Sequence, residues 1–104
     1  MRYSVVFTPE AEDQLIDVYK YIAAEASPDV AERFTQGIVD FCEGLAQFPE
    51  RSIRRDDIRP GLFVTNYRGR VVVAYAVDVD VVSVIGIFYG GRDFESLLRL
   101  SDER

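Results

Sequence analysis

Residues 62–89 read LFVTNYRGRVVVAYAVDVDVVSVIGIFY, and their pattern decides the fold. Valine, isoleucine and aromatic residues dominate three runs, Leu62 to Asn66, Val71 to Val77 and Val81 to Tyr89. Such side chains suit a pleated surface buried on at least one face. Two short segments separate the runs, Tyr67-Arg68-Gly69-Arg70 and Asp78-Val79-Asp80. That spacing predicts successive hairpins in an antiparallel meander. Valine-rich strands of this kind need a cover.

The cover lies upstream. Thr8 can cap a helix, because Pro9 suits the first helical position and Glu10 favours the positive end of the helix dipole. Ala11, Leu15, Val18, Ile22 and Ala26 then recur at intervals of four and three, which places them on one stripe opposite an acidic face. Ser27-Pro28-Asp29 repeats the cap-and-proline signal and opens a second stripe of Val30, Phe34, Ile38, Phe41, Leu45 and Phe48, ended by Pro49. Two amphipathic helices with one break between them imply an antiparallel helical hairpin. Before them Tyr3, Val5 and Phe7 alternate with Arg2, Ser4 and Val6, as in a short half-buried strand.

The remaining segments connect or close. Pro49 to Gly61 holds prolines, glycine and dense charge and reads as a loop. Gly90-Gly91 breaks the last strand, and Asp93 can cap a short final helix bearing Phe94, Leu97 and Leu98. The expected fold is α+β: a two-layer β-α-α-β-β-β(-α) domain with the helical hairpin packed on a mostly antiparallel four-stranded sheet. With 104 residues, one domain over 1–104 is expected.

Composition narrows the chemistry. No histidine occurs, which removes the commonest neutral-pH acid-base group and the commonest metal ligand. The single cysteine, Cys42, lies on an apolar helix face and reads as a small core residue; one thiol forms neither an intramolecular disulfide nor a thiolate zinc site. No metal and no cofactor are expected. The longest apolar run, Val71 to Val77, is far shorter than a membrane span, and the N-terminus lacks a secretory apolar region, so the expectation is a cytoplasmic protein with no membrane contact.

Charge is unevenly divided. The net formal charge is -6, which disfavours a broad nucleic-acid-binding surface. Between Pro9 and Phe48 the acidic residues meet only Lys20 and Arg33, whereas Pro49 to Arg70 carries Arg51, Arg54, Arg55, Arg59, Arg68 and Arg70 against Glu50, Asp56 and Asp57. This arginine-rich region reads equally as a partner-contact surface and as a solvated loop and hairpin tip pairing with Asp56, Asp57 and the acidic helices. The apolar residues of the last helix, Phe94, Leu97, Leu98 and Leu100, either pack back or meet a partner.

Three fragments in this order, Val6-Phe7-Thr8-Pro9-Glu10-Ala11, Arg59-Pro60-Gly61-Leu62 and Tyr89-Gly90-Gly91-Arg92-Asp93-Phe94, resemble the RelE/ParE toxin superfamily of type II toxin-antitoxin systems over nearly the whole chain. Members of that superfamily are toxins held by a cognate antitoxin. The RelE-like branch cleaves messenger RNA on the ribosome, and the ParE-like branch acts on DNA gyrase. The RelE-like mechanism, as the resemblance implies it, uses lysine, arginine and tyrosine or histidine, and here the only lysine is Lys20 on the acidic helix. Family members commonly carry histidine-glycine where this chain has Tyr89-Gly90. A ribonuclease site would fall to Arg59, Tyr89 and Arg92, with tyrosine as the base; the resemblance otherwise implies no catalytic residues.

The ParE-like reading fits the composition better, because a protein target asks only for one matching patch. It implies DNA gyrase as target, a ParD-like antitoxin as partner, no sequence-specific nucleic-acid binding by the toxin alone, and partner contacts through Arg54, Arg55, Arg59, Arg68, Arg70, Arg92, Phe94, Leu97 and Leu98. A third possibility is a toxin fold that has lost toxicity and serves only as a binding partner.

Overall fold

Both helix starts form as their caps dictate. In the computed structural model, which describes residues 3–90 and 94–102, Thr8 Oγ1 accepts the Ala11 N–H at 3.2 Å and Ser27 Oγ accepts the Val30 N–H at 3.2 Å. These bonds open α1 (Pro9–Glu25) and α2 (Pro28–Gly44). The strands are β1 (Ser4–Phe7), β2 (Ile53–Arg54), β3 (Leu62–Tyr67), β4 (Val71–Val77) and β5 (Val81–Tyr89), and α3 (Phe94–Asp102) follows them. The three expected runs thus form the meander β3-β4-β5, antiparallel throughout.

The sheet has five strands, in the order β1-β5-β4-β3-β2, with β1 parallel to β5. The expected count of four misses β2, a two-residue strand within the segment read as loop, where Ile53 pairs with Val64 and Arg54 with Phe63. A strand this short has no periodicity of its own; β3 defines it.

A bulge keeps the core faces in phase. Ala74 pairs with Gly86 but Tyr75 with Val84, so Ile85 has no direct partner on β4. The extra residue lets Val82, Val84 and Ile87 join one core while Ile85 and Phe88 join another. The main core lies between the helical hairpin and the sheet and includes Ala11, Val18, Ile22, Ala31, Ile38, Cys42, Phe63, Val73 and Tyr75. A smaller core covers the opposite face, where Ile58, Leu62, Ala74, Phe88 and Leu98 meet.

The second helix stripe is placed differently from its expectation. Ala31, Ile38 and Cys42 occupy its buried centre, while Phe34, Phe41 and Leu45 pack partly buried against the same core. Val30 and Phe48, placed on that stripe, are exposed, Phe48 by 62%. The helix ends at Gly44, so extrapolating its period to position 48 misplaces that ring. Ala26, also assigned to a stripe, is exposed as the residue closing α1. Cys42 is fully buried, and burial pushes its thiol up to about 12, in keeping with a core role.

One close approach fixes the hairpin on the sheet. A Cβ added at Gly37 would stand 2.2 Å from the Tyr67 hydroxyl, whose ring meets Phe34 and Phe41 at centroid distances of 5.8 and 5.3 Å. Gly37→Ala is expected to displace Tyr67 and to cost up to about 2 kcal/mol net, overpacking of about 1–3 kcal/mol set against the roughly 1 kcal/mol by which alanine is favoured over glycine inside a helix. Urea unfolding checks this. A variant as stable as the parent with Tyr67 unmoved would refute the account.

Candidate partner-binding surface

The arginine-rich loop is folded by its own carboxylates. Arg55 donates from Nε and one terminal nitrogen to the two Asp57 carboxylate oxygens at 2.9 and 2.8 Å, and that nitrogen also reaches Glu95 of α3 at 2.8 Å. Arg54 pairs with Asp56 at 3.0 Å, and Asp56 accepts the Gly61 N–H at 2.7 Å. Arg59 donates to the Leu98 carbonyl at 2.9 Å, while Arg99 approaches Asp57 at 3.8 Å. Arg54 and Arg55 therefore pair within their own loop and with α3, not with the acidic hairpin.

These contacts bind α3 to the loop above the smaller core. Leu98 is buried and Phe94 partly buried against it, whereas Leu97 is 39% exposed. Of the three apolar residues of α3 assigned to partner contact, Leu97 is the one most open to it. Leu100 contributes no described side chain, and Arg92 and Asp93 lie outside the described residues.

The ion cluster predicts a pH response of α3. The hydrogen bond from Arg55 holds the Asp57 carboxyl down at about 2, against an ordinary value of 3.8, and the Gly61 N–H and Arg54 lower Asp56 as well. A carboxylate depressed on folding contributes stability above its unfolded value and loses it as pH falls through its folded one. The Asp57 contacts, with Arg55 in the loop and with Arg99 of α3, should therefore be intact above 3.8 and weaken toward about 2. Backbone NMR shifts of α3 are the readout, and shifts that stay native while Asp57 protonates would refute a tethering role.

Tyr89 stands elsewhere. Its ring packs on the hairpin side, with centroids 5.6 Å from Tyr21 and 5.8 Å from Phe34. It lines a cleft of about 330 Å³ with Val18, Tyr21 and Ile87, whereas Arg59 lines an adjoining one of about 450 Å³ with Ile85, Phe88 and Leu98, and Gln14 and Asp17 border both. Tyr89 belongs with the main core and Arg59 with the smaller one, on opposite faces of the sheet. Gln14 lies between the clefts and accepts the Ile87 N–H at 2.7 Å, satisfying β5 beyond the end of β1.

Arg68 and Arg70 flank the β3–β4 turn. Arg68 and Gly69 both take left-handed φ values, 55° and 69°, as the centre of a tight turn closed by the Arg70 N–H donating to the Tyr67 carbonyl at 3.1 Å. The Arg68 guanidinium lies 5.4 Å from the Tyr67 ring centroid, and Arg70 borders a hollow with Tyr21, Glu25 and Phe34. Sequence reasoning passed over one exposed group: Phe48, with the Arg51 guanidinium 5.4 Å from its ring centroid, and Ile53, 70% exposed on β2. The available signal was only that large apolar residues, Phe48 and Ile53, stand among Arg51, Arg54 and Arg55 in the chain.

The described residues hold no cluster of acidic, cysteine or histidine side chains suited to a metal, and none of their helices is long and apolar enough to cross a membrane. The arrangement is that of a small α+β domain presenting arginine and apolar side chains on its loops, sheet edge and last helix. Residues 5–94 match the family model described as ParE toxin of type II toxin-antitoxin system, parDE, and the chain belongs to that family. Among solved structures it is similar to a chain of the chromosomal ParDE TA system from P. aeruginosa, at 21% identity and a TM-score of 0.74, covering 86% of this chain and 97% of that one. Comparison with curated proteins gave no match.

Proposed function

We propose that this ParE-family toxin arrests growth in the bacterial cytoplasm by binding DNA gyrase, performs no catalysis of its own, and is neutralised by a ParD-like antitoxin. One observation carries the choice over a ribonuclease. Arg59 and Tyr89, two of the three side chains such a site would need, belong to opposite faces of the sheet, and neither of the two adjoining clefts they border is lined by both. Phosphorane stabilisation and proton abstraction require converging groups within hydrogen-bond reach of one substrate. Recognition of a protein surface requires no such convergence, and Leu97, Arg68 and Arg70 are exposed for it.

The test is inducible expression of the chain in bacteria, with growth, bulk translation and a DNA-damage reporter followed in one culture. Growth arrest with DNA damage and continuing translation is the expected result, relieved by a co-expressed ParD-like antitoxin. Rapid translation collapse with cleaved messages would replace the proposal with the RelE-like ribonuclease. Normal growth at confirmed soluble expression would replace it with a non-toxic binding partner.

A further inference from the structure

A run of aromatic rings crosses the contact between the helical hairpin and the sheet and ends in solvent. Tyr67 meets Phe34 at a centroid distance of 5.8 Å, Phe34 meets Tyr89 at 5.8 Å, and Tyr89 meets Tyr21 at 5.6 Å. At its Tyr67 end the run already carries a cation, the Arg68 guanidinium 5.4 Å from the ring centroid. The Tyr21 end carries none. Tyr21 is 54% exposed, and no guanidinium or ammonium lies over its ring among the described residues.

This open end borders the cleft of about 330 Å³ between α1 and β5. Asp17 stands one helical turn before Tyr21, on the same face of α1, and borders the cleft as well. It has no cationic partner among the described residues, and Arg59, which borders the adjoining cleft, donates to the Leu98 carbonyl. Val18 and Ile87, both buried, supply apolar wall. Gln14 Oε1 is committed to the Ile87 N–H at 2.7 Å. The side-chain acceptors left to a ligand are the Asp17 carboxylate and the Tyr21 and Tyr89 hydroxyls.

Acceptors, aromatic faces and an apolar wall together select a flat cation that only donates hydrogen bonds and hangs on a short aliphatic stem. A guanidinium has five N–H donors and no acceptor, stacks on aromatic rings and is more weakly hydrated than an ammonium. An anion would meet Asp17 instead. Glu25 and Arg70 border a neighbouring hollow that shares Tyr21 and Tyr89, and their opposite charges leave Asp17 to set the sign of the site. The volume stands at the low end of the range for small-molecule sites, about 300–1,000 Å³. We propose that this cleft binds a small alkylguanidinium molecule, its planar head held by Tyr21 and the Asp17 carboxylate and its methylenes lying on Val18 and Ile87. The assignment goes beyond gyrase binding and does not depend on it.

The experiment titrates the full chain with butylguanidine and with butylamine, which share a stem and differ in the head, and follows backbone amide NMR shifts. Saturable shifts at Asp17, Tyr21, Ile87 and Tyr89 are expected, with butylguanidine the tighter ligand. Asp17→Asn and Tyr21→Leu, both replacing exposed side chains, should each weaken it about fivefold or more, because each removes one of the two groups that hold the head. Asp13→Asn takes the same charge from α1 outside the cleft and should leave binding unchanged. Shifts spread over the acidic surface of both helices, equal losses in Asp13→Asn and Asp17→Asn, equal affinity for butylamine, or no saturable shift would each overturn the assignment. So would tighter binding of a capped glycine pentapeptide with a central arginine, which would give the cleft to an arginine of a protein partner. Growth arrest is read separately, so a failure here leaves the toxin reading untouched, and the reverse.

Discussion

Truncating Tyr75 to alanine is expected to destabilise the chain by about 3–5 kcal/mol, the range for losing a large buried aromatic side chain and leaving a cavity. Tyr75 is fully buried, stacks on Phe63 at 5.5 Å between centroids and 14° between planes, and donates its hydroxyl to the Pro49 carbonyl at 2.6 Å. A domain of this size has about 5–15 kcal/mol in hand, so the loss brings it near unfolding at growth temperature. Tyr75→Phe separates the parts. It keeps the ring but removes the donor from a buried carbonyl, costing about 1–3 kcal/mol. Urea denaturation of both variants gives the two figures.

The phenylalanine variant also links packing to the segment that leads into β2. Pro49 begins the segment that runs through Arg51 to β2, and the Tyr75 hydroxyl fastens it to the centre of the sheet. Removing that bond should speed amide exchange at Ile53 and Arg54 more than in α1 or α2. Equal acceleration everywhere would mean that the bond supports global stability alone. Unchanged stability and exchange would mean that it supports neither.

How much of this was legible in the sequence follows from the range of each interaction. Thr8-Pro9 and Ser27-Pro28 announced helix starts because a cap and its N–H partner are three residues apart. The meander was legible because alternating apolar residues and two tight turns are local, and Cys42 because it falls on a helical period. By contrast, β2 exists only through β3, and Arg55 meets Glu95 across forty positions, where no period reaches. Small residues at the helix–sheet contact misled as well. Ala31, left off the stripe, occupies the fully buried centre, while the phenylalanines chosen for hydrophobicity are only partly buried or, at Phe48, exposed.

The candidate surface was legible in part for the same reason. Composition located the arginines between residues 51 and 70 but could not separate those neutralised by neighbours from those left open. Arg54 and Arg55 each bond an aspartate two residues on, a pairing the sequence permits at several positions without choosing one. Arg51 and Arg68 are set apart only by three-dimensional placement, each over an aromatic ring. Exposure of Phe48 and Ile53 depends on where α2 stops and where β2 pairs, both decided by tertiary contacts.

Gly86→Ala is the second large effect, about 2–3 kcal/mol, because β5 admits no side chain there. An added Cβ would lie 2.5 and 2.7 Å from two carbons of the Phe88 ring, and that ring is 2% exposed within the smaller core. Neither the strand, paired with β4 at Ala74 and held by Gln14 at Ile87, nor the ring, covered in part by Leu98 and Phe94, can yield without opening that core. The steric account makes a sharper prediction through a double-mutant cycle. In a Phe88→Ala background, itself costing about 3–5 kcal/mol, the obstacle is gone, and Gly86→Ala should be neutral or slightly stabilising because alanine has less backbone freedom to lose than glycine. Chemical denaturation of the four proteins decides it. An equal penalty in both backgrounds would place the requirement for glycine in the backbone at the Ile85 bulge instead of in the ring.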